Sequence, residues 1–221
     1  MDFDQLFESW RAAQAARDDS SIEECVRSAR RLSSSTGKAA WDWFDASLQH
    51  EDRKWFVAAV FDAQPLPKRL FDRMLHTGVL ESNPSFNRQF IEPCVESFGS
   101  APVLSGLLRY LQAGTGEEKA GAASAAYWVP QREGDVSDVD VRLQIHCEML
   151  RQFVNNESVE VRRRIIPMLA LDEARYPADI RALVARATQI ARSHPDSYIK
   201  HRIEIQLGAG GPFMPIPTSL K

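Results

Sequence analysis

His146, Cys147 and Glu148 stand in a row, three side chains that each bind metals. On a helix, consecutive residues point about 100° apart, so the three cannot converge on one ion. The other histidines, His50, His76, His194 and His201, form neither an H-E-x-x-H nor a His-x3-His pair. DVSDVD, residues 135 to 140, lacks the register and the distal Glu of a calcium loop; an acidic turn favourable to a helix dipole is the simpler reading. AGTGEEK, residues 113 to 119, has glycines and a lysine without phosphate-loop spacing, and it follows a helical pattern where a nucleotide loop would follow a strand. GAGG, residues 208 to 211, reads as a chain terminator, and no G-x-S-x-G is present. The expectation is a protein that is not an enzyme, with no catalytic residue, no metal site and no cofactor. Trp41, Trp43, Phe44, Trp55 and Phe56 form the densest aromatic region, expected as a core beneath an N-terminal cap rather than as a stacking platform.

A chain of 221 residues accommodates one substantial core or five to six stacked helical hairpins. Its 44% hydrophobic and 26% charged residues are ordinary for a folded protein. The longest apolar run, IIPMLAL at 165 to 171, falls far short of the roughly 20 residues that span a bilayer. The N-terminus, MDFDQLFESW, is acidic where a secretory signal is basic and then apolar, so a cytoplasmic location is expected. Cys25, Cys94 and Cys147 are odd in number and far apart, and read as buried free thiols. The net charge of −3 conceals a basic last third: residues 151 to 221 carry 7 acids and 11 bases.

Period-two alternation is nearly absent, whereas helical periodicity is everywhere. In VRLQIHCEMLRQFV, the residues Leu143, Cys147, Leu150, Phe153 and Val154 predict one apolar face. Asn83-Pro84 predicts a helix start, Gly114 a left-handed helix end, and Thr115 with Glu118 a capping box; Ser100 and Ser137 open further helices. Helices are expected near 2–17, 20–33, 37–49, 52–63, 67–77, 84–98, 101–113, 116–128, 138–155, 158–171, 177–193 and 197–207. Residues 129–137 read as a long loop, and the proline-rich tail 209–221 as extended chain.

SYIKHRIE, residues 197 to 204, echoes SFNRQFIE, residues 85 to 92, with Ser, an aromatic, Ile and Glu at matching places. The separation of 112 residues divides into three steps of about 37, and EEKAGAASAAYW from Glu117 and ESVEVRRRIIPML from Glu157 fall near the intermediate steps. EDRKWFVAAVF lies one step earlier. Such recurrence marks two-helix units that bury their apolar faces only by stacking. NNESVEVRRRIIPMLA and HPDSYIKHRIEIQLG resemble the first helices of HEAT repeats over residues 51–208, although Trp55 and Phe56 stand where small residues are usual. The resemblance implies an all-α fold: a right-handed alpha-alpha superhelix of about five to six hairpins, one domain over 1–208, with residues 1–50 as cap helices.

In that arrangement the second helix of each hairpin lines a concave face, and there the resemblance places Arg69, Arg73, Arg109, Arg142, Arg151, Arg181, Arg186 and Arg192. Arg forks pair carboxylates bidentately, so a partner protein with an acidic segment is the expected ligand. The expected function is a protein-protein interaction module, an adaptor or a toxin-neutralising immunity protein. The alternative is a nucleic-acid binder like the HEAT-like DNA glycosylases; the modest basic excess and the lack of matching catalytic residues speak against it. In the tail, PFMPIP either covers the last repeat or presents a polyproline ligand.

Overall fold

The computed structural model describes residues 2–131 and 138–208, which hold twelve α-helices and three short 3-10 turns and no strand. The chain forms two compact units, Met1–Val103 and Leu104–Lys221. The expected tail at 209–221 and the helix opening at Ser137 lie outside the described residues.

The first unit contains α1 (Phe3–Ala16), α2 (Asp19–Thr36), α3 (Lys38–Ser47), α4 (Arg53–Phe61), a 3-10 turn (Lys68–Leu70) leading into α5 (Phe71–Leu80), α6 (Arg88–Phe98) and the start of α7 (Ser100–Ala113). Asp2 and Gln5 close a capping box on α1. Gly37 joins α2 to α3 at φ 57°, a conformation that costs other residues strain. The core is a cluster of rings. Phe44 is fully buried and meets Phe3 at 5.0 Å, Phe61 at 5.3 Å and Trp43 at 5.6 Å. Each buried ring of this kind contributes roughly 1.5–3 kcal/mol from its removal from water. The aromatic run read from the sequence is therefore core: Phe44 and Phe56 are inaccessible and Trp41 and Trp43 pack against Phe44.

The second unit holds the rest of α7, then α8 (Gly116–Ala126), α9 (Val139–Asn155), α10 (Val159–Ile165) with a 3-10 turn (Ile166–Met168), a further turn (Glu173–Arg175), α11 (Ala182–Ser193) and α12 (Ser197–Leu207). Here α8 packs on α10 and α10 on α12, while α9 packs on α11; α9 also meets α10, and α11 meets α12. Alanines make the first contact close. Ala122, Ala123 and Ala125 of α8 are inaccessible, opposite an α10 that buries Val161 and Ile165.

Several expected boundaries shift for identifiable reasons. Residues 84–87 form a turn in which Asn83 Oδ1 accepts the Ser85 N–H, so α6 starts at Arg88. Gly114 is not left-handed; glycine is required there because a Cβ would lie 2.5 Å from the Tyr110 carbonyl oxygen. The Thr115–Glu118 box forms with bonds of 2.8 and 3.2 Å. Pro167 has no N–H to continue α10, and the helix tightens into the 3-10 turn. On α9, Leu143 is exposed whereas Ile145 and Met149 are buried: α9 is covered on more sides than a surface helix, and one apolar stripe does not describe it.

Candidate functional site

Guanidinium groups do two kinds of work in this molecule. Some terminate helices: Arg30 donates from Nε to the Val60 carbonyl (2.8 Å) and from Nη2 to that of Ala59 (3.1 Å), at the end of α4. Arg162 donates from Nε to the Phe153 carbonyl (3.0 Å), near the end of α9. These carbonyls have no partner within their helix, and a cation also opposes the negative end of the helix dipole. The HEAT-like reading did not single out either residue; their signal is an Arg whose sequence neighbours are buried, as Ala29 and Val161 are.

The eight arginines expected on a binding face divide by unit. In the first, Arg69 Nη2 lies 2.7 Å from Asp42 Oδ1 and Arg73 Nε 3.3 Å from Asp45 Oδ1, a two-rung ladder fastening α5 and its leading turn to α3. In the second unit, Arg142 is a brace: it bonds the Asp138 carboxylate at 2.6 Å and the carbonyls of Val129 and Pro130 at 3.2 and 2.8 Å. Arg192 bonds Glu204 across α11 and α12 at 2.8 Å, which holds the Glu204 carboxyl below its ordinary range. Arg109 lies exposed on α7.

Three arginines remain exposed with little ionic engagement. Arg151 of α9 is 3.7 Å from Glu148. Arg181 donates to the Tyr176 carbonyl and Arg186 to the amide oxygen of Gln189, and among the described residues neither has a carboxylate within 4.0 Å. They do not form one row. At 3.6 residues per turn, Arg181 and Arg192 share a flank of α11, whereas Arg186 projects more than 100° from both.

The first unit also contains a cleft of about 400 Å³ between the α3–α4 turn and α5. His50 and Glu51 of the turn, Lys54 of α4, and Arg73, His76 and Leu80 of α5 line it. His50 Nδ1 accepts from the backbone N–H groups of Asp52 and Arg53 at 3.2 and 3.4 Å. Its Nε2 therefore carries the ring proton as a donor. Lys54 Nζ bonds Glu81 at 2.7 Å and sits 4.9 Å from the Trp55 ring, which meets Phe86 edge-on.

Several further reactive groups are buried. Cys25, Cys94 and Cys147 are buried free thiols, and burial pushes each thiol up. Burial, then the charges of Arg175 and Arg142, hold His146 below its ordinary range, and its Nδ1 is buried with no hydrogen-bond partner. Burial pushes the Tyr176 hydroxyl up to about 12, and it donates to the Ala170 carbonyl. Among the described residues, no group of three His, Cys, Asp or Glu side chains could hold a metal ion, and no helix is long and apolar enough to cross a membrane. Compared with protein-family models, curated proteins and solved structures, the chain matches none of them.

Proposed function

We propose that this protein is a non-enzymatic protein-interaction module built of stacked helical hairpins like those of HEAT repeats, acting as an adaptor or as an inhibitor of the immunity-protein kind. The observation that carries this reading is the packing order in the second unit: α8 on α10 on α12 in one series and α9 on α11 in another. Stacking of successive hairpins leaves long exposed helix faces, which recognise other proteins by shape and side-chain chemistry. Arg151, Arg181 and Arg186 supply exposed donors on such faces, suited to a partner's carboxylates. The first unit carries 16 acids against 12 bases and the second 14 against 15, a balance that disfavours the many phosphate contacts duplex binding requires.

The test is affinity capture from native lysate with the purified chain, with and without nuclease, followed by mass spectrometry. A stoichiometric protein retained after nuclease treatment supports the module. Recovery of nucleic acid, with proteins lost on nuclease treatment, supports the glycosylase-like alternative instead.

A further inference from the structure

His194 follows the last residue of α11, on the short turn into α12. It is 5% exposed, and its ring Nδ1 accepts the Asp196 backbone N–H at 3.1 Å. A ring nitrogen that accepts carries no proton, so the neutral ring holds its hydrogen on Nε2. Asp196 makes two further bonds. Its Oδ1 accepts the Ile199 N–H at 3.1 Å as the N-cap of α12, and its Oδ2 meets Arg163 of α10 at 3.0 Å from Nε and 2.7 Å from Nη2. The end of α11, the start of α12 and α10 are therefore tied through one turn. Protonation of Nδ1 would set an N–H against the Asp196 N–H, in surroundings that disfavour a second positive charge. Arg162 of α10 and Lys200 of α12 act on the ring with like charge; Asp196 opposes them but is engaged by Arg163, and Glu157, before α10, acts on Arg162. On α11, Arg192 is turned to Glu204 at 2.8 Å. Burial, and then the Arg162 charge, hold the His194 ring below its ordinary range. His50 makes the same kind of bond in the first unit, its Nδ1 accepting the Asp52 N–H, but that residue is exposed.

We infer that His194 is an acid-sensitive latch: proton uptake at Nδ1 breaks its bond to Asp196 and frees the start of α12 from α10 and α11, exposing Ile199 and Ile203, which are inaccessible while the latch is closed. Above about pH 6.5 the ring is neutral whether the latch is closed or open, and the latch holds in full. As pH falls below that value, the open form takes up a proton that the closed form resists, and opening gains. At pH 5 an open ring of ordinary basicity is protonated about thirtyfold over neutral, which bounds the gain. Asp196 does not titrate out over this range, because the Arg163 bonds hold its carboxyl below the ordinary carboxylate range. The latch is independent of the interaction-module reading.

The experiment is amide hydrogen exchange of the full chain, read by NMR at about pH 7.5 and about pH 5 and corrected for intrinsic exchange rates, together with titration of the His194 ring. The Ile199 and Ile203 amides are expected to lose about five- to thirtyfold in protection at the acid pH, while those of Ile91 and Val95 in α6 change less than about twofold. His194→Asn, whose amide oxygen replaces Nδ1 as acceptor and does not titrate, is expected to keep its α12 protection at both pH values. His146→Gln, which removes the other histidine held below its ordinary range, is expected to keep the wild-type acid response. Equal α12 protection at the two pH values overturns the inference, as does a loss spread evenly over α6 and α12, or an acid response that survives in folded His194→Asn. Should His194→Asn fail to fold, a wild-type His194 ring that titrates with no change in Ile199 exchange overturns it equally.

Discussion

The two units solve the same packing problem with different side chains. The first fills its core with Phe3, Phe7, Trp10, Phe44, Phe56 and Phe61, rings that meet at stacked, tilted and edge-on angles. The second buries Phe153, Leu104, Leu107 and Leu111, and adds a close approach of α8 to α10 in which Ala120, Ala122, Ala123, Ala125 and Ala126 of α8 are buried. A ring core concentrates stabilisation in a few large groups and is exposed to truncation. An alanine seam distributes it over backbone proximity and is exposed to enlargement.

This contrast is broken most forcefully at Phe44. Phe44→Ala removes a ring in contact with at least four other aromatics and is expected to cost about 3–5 kcal/mol in urea unfolding. The complementary insult is Ala122→Leu, which adds bulk at an inaccessible position of α8 and is expected to cost about 1–3 kcal/mol, whereas Ala122→Gly costs less. If Phe44→Ala were mild and Ala122→Leu severe, the assignment of the two core types would be reversed. Next comes Thr115→Ala, which opens the capping box at the start of the alanine helix; a loss of about 1 kcal/mol is expected, and Thr115→Ser restores most of it. Smallest is Arg69→Gln. Its pair with Asp42 is substantially exposed on both sides, and a change below about 1 kcal/mol, diminishing further in high salt, is expected from thermal melts.

The helical class and most helix positions were legible because the relevant signals are local. Thr115 and Glu118 lie three residues apart, and SYIKHRIEIQL is an α12 with Asp196 as its cap, accepting the Ile199 N–H. Errors arose where a local signal has two outcomes. Asn83-Pro84 initiates a turn as readily as a helix, and Gly114 serves close approach as well as left-handed backbone. The arginine face was legible only as composition. Whether Arg69 meets solvent or Asp42 depends on a residue 27 positions away, and whether Arg142 faces outward or braces carbonyls depends on where Val129 and Pro130 lie after α8. The cleft was not foreseen, since it joins His50 and Lys54 to Arg73 and Leu80 through the pairing of the α3–α4 turn with α5.

The most direct test of the interaction-module account compares the wild-type chain with Arg151→Gln/Arg181→Gln/Arg186→Gln for retention of the protein captured from nuclease-treated lysate. These side chains are exposed, so the melting temperature is expected to hold within a few degrees. The account predicts at least tenfold weaker retention by the folded triple variant. Equal retention by both proteins, or a bound fraction consisting of nucleic acid, would contradict it.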